Sequence, residues 1–193
     1  MRRLTKLNIN ESETKGYLVF EENWYDVFDR LVIYFFFSWV VVLPFLILFD
    51  PYRLDTDYDF FYVIVFTIPF LFGIYVIYRK ATEKRLFKII TAYNRKKNHE
   101  ILLEYAITKS YEVYRKSNRC LIFNESTSAL NPEYKKSRIF LVEDNLVMYS
   151  IVQDRFKLNL PTLTSHLNLK KDLKKLFNTP LTDAKKETCQ HIT

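Results

Sequence analysis

Glycine is nearly absent: Gly16 and Gly73 are the only two in 193 residues. A Walker loop, a dinucleotide fingerprint and a nucleophile elbow each need glycine where backbone approaches phosphate or turns sharply. None of them can be built, which excludes those enzyme classes. Cysteine is equally sparse. Cys120 and Cys189 form neither a CxxC pair nor a framework of bridges, and Cys120 in "RCLIF" reads as a small buried residue. The three histidines, His99, His166 and His191, are dispersed without HxxxH or HExxH spacing, so neither a metal site nor a cofactor is expected. No local grouping pairs a nucleophile with a base, and the adjacent carboxylates of "VEDN" read as a turn. A protein without enzymatic activity is expected.

Charge is missing from two long stretches. Arg30 and Asp50 bracket nineteen uncharged residues, and Asp59 and Arg79 bracket another nineteen. At 1.5 Å per residue each run makes about 28 Å of helix, close to the hydrocarbon thickness of a bilayer. A soluble protein of this size has too little other apolar surface to wrap two such helices. The two runs therefore read as transmembrane helices over 31–49 and 60–78, joined by an external loop at 50–59. "MRRLTK" is basic, but the apolar block after it starts too late and runs too long for a cleaved signal peptide.

Topology follows from lysine and arginine, which stay on the cytoplasmic side of membrane helices. Arg2, Arg3, Lys6, Lys15 and Arg30 precede the first run, a dense basic stretch beginning at Arg79 follows the second, and the bend between them holds Arg53 alone. Both termini are expected in the cytoplasm of a two-pass inner-membrane protein. Residues 79–193 carry 23 basic and 12 acidic side chains, so the basic excess faces an anionic leaflet. Arg79, Lys80, Lys84, Arg85 and Lys88 are the candidate membrane-surface residues.

Neither run contains an ionisable side chain at depth apart from tyrosine, which argues against a proton relay, a voltage sensor or an ion-coupled transporter. Pro44 and Pro69 each remove a helical hydrogen bond and mark expected kinks. Gly73 permits close backbone approach. Two helices cannot enclose a pore, so channel activity would require a homo-oligomer.

Residues 79–98 place Leu86, Ile89, Ile90 and Tyr93 at helical spacing with a basic opposite face, the pattern of a juxtamembrane helix. From residue 100 the period changes to two. "ILLEYAIT", "SYEVYRK", "RCLIFN", "SRIFLV", "NLVMYSIV" and "RFKLNLP" read as about six short strands, separated by "KSN", "NPEYKKS" and "EDN". Leu169, Leu173, Leu176 and Phe177 then form a helical stripe, with Lys170, Lys171, Lys174 and Lys175 off it. The expected fold is a membrane α-helical hairpin plus an α+β cytoplasmic domain over 99–178: an antiparallel sheet or small barrel closed by an amphipathic helix. Residues 1–30 form a cytoplasmic segment, an extra strand or an interfacial helix, and 179–193 a loose tail.

The succession "VMYSIVQDRFKLNLP…LKKDLKKLF", a strand pair, a proline and a closing helix behind two spans, resembles bacterial membrane proteins that carry a PH-like cytoplasmic domain. That resemblance implies binding of an anionic lipid headgroup, a nucleotide or a protein partner. It also implies basic loop residues as ligands, here Arg115, Lys116 and Arg119, with Lys135, Lys136 and Arg138 a second basic group suited to phosphate. The order of parts is also similar to antiphage effectors that join two membrane helices to a small barrel binding a cyclic nucleotide, although those barrels are glycine-rich and residues 79–193 contain no glycine. An immunity protein against a membrane-active toxin is a third reading. Nucleic acid is not an expected partner, because aromatic stacking positions in these loops are limited to Tyr114 and Tyr134.

Overall fold

The computed structural model describes residues 4–49, 60–126, 135–154 and 160–178. A short helix α1 (Ile9–Lys15) precedes two long apolar helices, α2 (Trp24–Leu48) and α3 (Phe60–Ala81). Then come β1 (Phe87–Ile90), α4 (Arg95–Thr108), β2 (Glu112–Ser117), β3 (Cys120–Ser126), β4 (Lys135–Glu143), β5 (Leu146–Asp154) and α5 (Ser165–Asn178). The five strands form one antiparallel sheet in the order β1-β5-β4-β3-β2. The sheet is open, so the small-barrel alternative does not hold.

Both apolar helices outrun their expected bounds, beginning at Trp24 rather than 31 and ending at Ala81 rather than 78. Both continue through their prolines, Pro44 and Pro69. They are long and apolar enough to cross a membrane, and only 11% and 22% of the two apolar windows is buried inside the protein. A core helix of a soluble protein would be mostly buried. Phe35, Phe36, Trp39, Leu43, Leu46, Ile68, Leu71 and Phe72 instead point outward. Where the helices meet, Ile33, Phe37 and Val76 are buried together, and the Phe37 and Phe72 rings meet edge to face at 6.2 Å.

At Gly73 the two helices pack closely. A Cβ there would lie 2.8 Å from Val41 Cγ2 and 3.4 Å from both the Phe37 carbonyl and Val40 Cγ1. Val41 is short and β-branched, so it cannot swing clear. Gly73→Ala is therefore expected to destabilise the helix pair by about 1–2 kcal/mol: overpacking costs ~1–3, offset by up to ~1 from alanine's helix propensity. Thermal unfolding in mild detergent checks this, and Gly73→Ala/Val41→Ala should recover most of the loss.

Two expectations about the following segment are corrected. Residues 79–98 are not one helix: α3 ends at Ala81, and Phe87–Ile90 pair with Tyr149–Leu146 as the edge strand of the sheet. Phe87 and Ile89, with Leu86 on the other face, fit a period of two as well as Leu86, Ile89 and Ile90 fit a helix, and pairing with β5 decides between them. Conversely "ILLEYAIT" is not a strand but the body of α4. Its buried positions are Asn98, Leu102, Tyr105 and Ala106, at helical spacing, while Ile107 is 77% exposed. Asn94 caps the helix by accepting a hydrogen bond from the Lys97 amide.

The other strands follow the alternation. In β3, Cys120 and Ile122 face one side while Leu121 and Phe123 face the other. In β4 and β5, Phe140, Val142, Val147, Tyr149 and Ile151 join Leu121 and Phe123 under α4 and α5. The β4–β5 turn places Asn145 at φ 59°, a conformation asparagine tolerates. Of the expected strand "RFKLNLP", residues 155–159 lie outside the described residues, and Leu160 and Pro161 are not in a strand. The loop 50–59 and the tail 179–193 also lie outside them.

The opposite face of the sheet is covered by the segment before α2. Leu4, Leu7, Leu18, Phe20 and Leu86 pack on Cys120, Ile122, Ile139, Leu141, Met148 and Val152. Gly16, at φ 70°, ends α1 and turns the chain back. The Leu18 amide then donates to the Lys84 carbonyl at 2.8 Å, and the Leu86 amide to the Gly16 carbonyl at 3.0 Å. The globular unit is thus discontinuous: the described residues of 4–20 and 85–178 build it together, and the apolar helix pair is an insertion within it.

Candidate functional site

Where the helix pair joins the globular unit, charge is gathered rather than displayed. Lys80 lies between Asp29 of α2 at 3.2 Å and Glu83 at 3.3 Å, and all three side chains are at most 5% exposed. An ammonium held by two carboxylates satisfies groups that could not be buried alone. Just outside this triad, Glu22 pairs with Lys84 and, at 2.8 Å, with Arg30. Burial, the largest influence on the Glu22 carboxyl, pushes its pKa up, but the hydrogen bonds from Lys84 and Arg30 hold it below its usual value. The Glu83 carbonyl accepts from Ser150 Oγ of β5 at 3.0 Å, fixing the end of α3 to the sheet.

A second attachment comes from the segment leading into α5. The Thr162 carbonyl accepts two hydrogen bonds from Arg79, at 3.3 and 3.1 Å. The Leu163 carbonyl accepts from Tyr75 Oη at 2.6 Å. The Leu163 side chain packs beside Ile33, Phe37 and Val76, between the two long helices. Arg79 and Lys80 are therefore turned inward, 5% and 4% exposed, and are not surface residues. Lys84 is half-buried, while Arg85 and Lys88 are exposed.

The basic residues singled out from the loops are not brought together. Arg115 and Lys116 lie in β2 and Arg119 at its turn into β3, while Lys136 and Arg138 lie in β4, two strands away. Arg119 reaches the opposite layer, donating to Asn10 Oδ1 at 2.8 Å and pairing with Glu13. Arg138 is 7% exposed, pairs with Glu125 at 2.6 Å and stacks over the Tyr111 ring at 4.5 Å. Lys136 is 3.9 Å from the same carboxylate. Lys135 is in β4, but its side chain lies outside the described residues. Arg119 and Arg138 thus serve as struts between layers and strands.

Two open grooves are lined by charged side chains. One, of about 580 Å³, lies at the start of α4 between Asn94, Arg95, Lys96, His99, Lys116 and Asn118. Asp144 and Glu100 also line it; Asp144 accepts from the Arg95 amide at 2.8 Å, and His99 Nε2 sits 3.2 Å from the Ser117 carbonyl. The other, of about 420 Å³, runs along α5 and is lined by Leu167, Lys170, Lys171, Lys174, Lys175 and Asn178. Among the described residues no carboxylate lines it. The stripe of α5 identifies these lysines as facing away from the core, but not what else they face. Among the described residues no group of three metal-ligating side chains assembles.

No family model, no curated protein and no solved structure matches this chain.

Proposed function

We propose that the chain is a two-pass membrane protein with both termini in the cytoplasm, whose basic α+β unit is held at the inner leaflet for binding or sensing, without catalysis of its own. One observation carries the reading. Residues before α2 and after α3 share a single core, so they occupy one compartment, and the two apolar helices between them present uncovered side chains to their surroundings. An even number of crossings satisfies both conditions. Exposed Trp24, Tyr25 and Phe28 on α2 and Tyr78 on α3 lie at the globular end of the pair, where aromatic rings suit a membrane–water interface. The buried Lys80 triad and the Arg79–Thr162 contact then make the hairpin and the sheet a single piece. The strand pair, proline and closing helix favour a PH-like unit as the form of the binding domain.

Topology reporters test the reading directly. Alkaline phosphatase fused after Lys97 is expected to be inactive and a fluorescent protein fused there to be bright, with the chain resisting alkaline carbonate extraction. An active phosphatase at that site would overturn the proposed orientation.

A further inference from the structure

Segment 161–164 fixes α5 beside the membrane-facing part of α3. The Leu163 carbonyl is bonded to Tyr75, and the Leu163 side chain sits in the layer of Phe37 and Val76. Ser165, the first residue of α5, follows two positions later. At 1.5 Å per residue, Lys170 and Lys171 lie about 8–9 Å along the axis from that point and Lys174 about 14 Å. The first two are within about one Debye length of Ser165 at physiological salt, whatever the tilt of the helix.

The charge on this helix is one-sided. Lys170, Lys171 and Lys174 are exposed and line the groove with Lys175. The one carboxylate of α5, Asp172, faces away from it, accepting from Tyr105 Oη at 3.1 Å and lying 3.7 Å from Lys109. Leu160 and Leu167, 40% and 54% exposed, flank the anchoring segment with apolar surface. His166 stacks on Phe87 at 5.9 Å. Burial first, then the charges of Arg79 and Lys170, push its pKa below the usual histidine value, so the start of α5 lies in a positive field.

Apolar residues at the anchoring point with lysines rising from it match a headgroup layer: acyl boundary below, phosphate above. We propose that the exposed lysine face of α5 binds anionic phospholipid headgroups of the same membrane that α2 and α3 cross, an inference that rests on the two-pass reading. Each basic residue near such a surface strengthens attraction by roughly fivefold, so Lys170 and Lys171 together give roughly thirtyfold, with a smaller, screened addition from Lys174. The resulting contact would seat the sheet in one orientation on the leaflet.

The test uses the full chain with Cys189→Ser and Asn168→Cys, a dye on the new thiol, and vesicles containing a headgroup-quencher lipid. Asn168 is exposed on α5, and Cys120 is fully buried. Quenching is expected to rise severalfold when phosphatidylglycerol is added to phosphatidylcholine, and to fall back in high salt. Lys170→Gln/Lys171→Gln/Lys174→Gln should abolish the rise, the three arginine replacements should keep it, and Lys96→Gln/Lys97→Gln on α4 should leave it unchanged. Equal quenching in both lipids, or a rise that survives the triple glutamine variant, overturns the inference. So does equal dye protection by pyrophosphate in phosphatidylcholine alone, which would assign the lysines to a soluble phosphate. Carbonate extraction of the same vesicles separates the two levels. A chain that washes out defeats the two-pass reading, whereas a chain retained but indifferent to lipid defeats only this proposal.

Discussion

A fragment of residues 98–178 is expected to remain unfolded, although it contains β2–β5, α5 and most of α4. It lacks β1, which pairs with β5, and the whole layer of Leu4, Leu7, Leu18, Phe20 and Leu86. Burying five large apolar side chains contributes on the order of 10 kcal/mol, comparable with the entire 5–15 kcal/mol stability of a typical domain. The complementary result is a folded protein without the long helices. Glu22 and Lys84 are in contact, so residues 4–22 can be joined to 84–178 by a flexible linker of about six residues, which reaches roughly 20 Å. That chain should give dispersed amide resonances and cooperative unfolding, while 98–178 gives neither. A well-dispersed spectrum from 98–178 alone would contradict the shared core.

The second large effect belongs to the buried triad. Lys80→Met removes the ammonium between Asp29 and Glu83, leaving two carboxylates that are at most 5% exposed. Breaking one side of such a buried pair typically costs about 3–5 kcal/mol, which for a chain of this size lowers the thermal midpoint by about 10 °C. Lys84→Met breaks a pair whose partners are about a quarter exposed and should cost no more than about 1 kcal/mol. Thermal unfolding in the same detergent compares the two. Replacing all three groups together, as Asp29→Asn/Lys80→Met/Glu83→Gln, is expected to restore much of the loss, because the two buried carboxylate charges are removed together with the ammonium. A Lys80→Met protein as stable as the parent would show that the triad does not hold the helices to the sheet.

Local pattern was enough for the parts whose partners are regular and near. The uncharged runs define α2 and α3, the alternation in "CLIF", "RIFLV" and "LVMYSIV" defines β3–β5, and the spacing of Leu169, Leu173 and Phe177 defines α5. It failed where two periods fit the same residues. In α4, Ile101, Leu103 and Ile107 lie off the buried stripe of Leu102, Tyr105 and Ala106, so alternation imitates a strand. Asn94 followed three residues later by the bonded Lys97 amide was the available signal for the helix. In β1 the strand exists because β5 supplies a partner, which no window around Phe87 contains. The layer formed by residues 4–20 is still less local, since the Tyr17–Arg85 bridge joins chain segments on either side of both long helices.

The same limit applied to the basic residues. A cation in a sequence looks alike whether it meets water or a carboxylate from another element. Arg119 finds Glu13, and Arg138 finds Glu125 and Tyr111, so the residues that best resembled a phosphate site are engaged in packing. The lysines of α5 read in sequence as the outer face of a helix, and only the bonds of Thr162 and Leu163 to α3 bring that face beside the apolar helices.

A core assembled from both sides of an inserted hairpin also bears on how the chain is made. On the proposed topology, Leu4, Leu7, Leu18 and Phe20 leave the ribosome before either helix and wait for strands synthesised after both. If only one helix crossed, the two halves of the core would lie in different compartments. Ile122, Ile139, Leu141 and Met148 would then stay uncovered, the kind of surface on which chaperones and proteases act. Folding of the sheet thus doubles as a check that both helices of the hairpin have crossed.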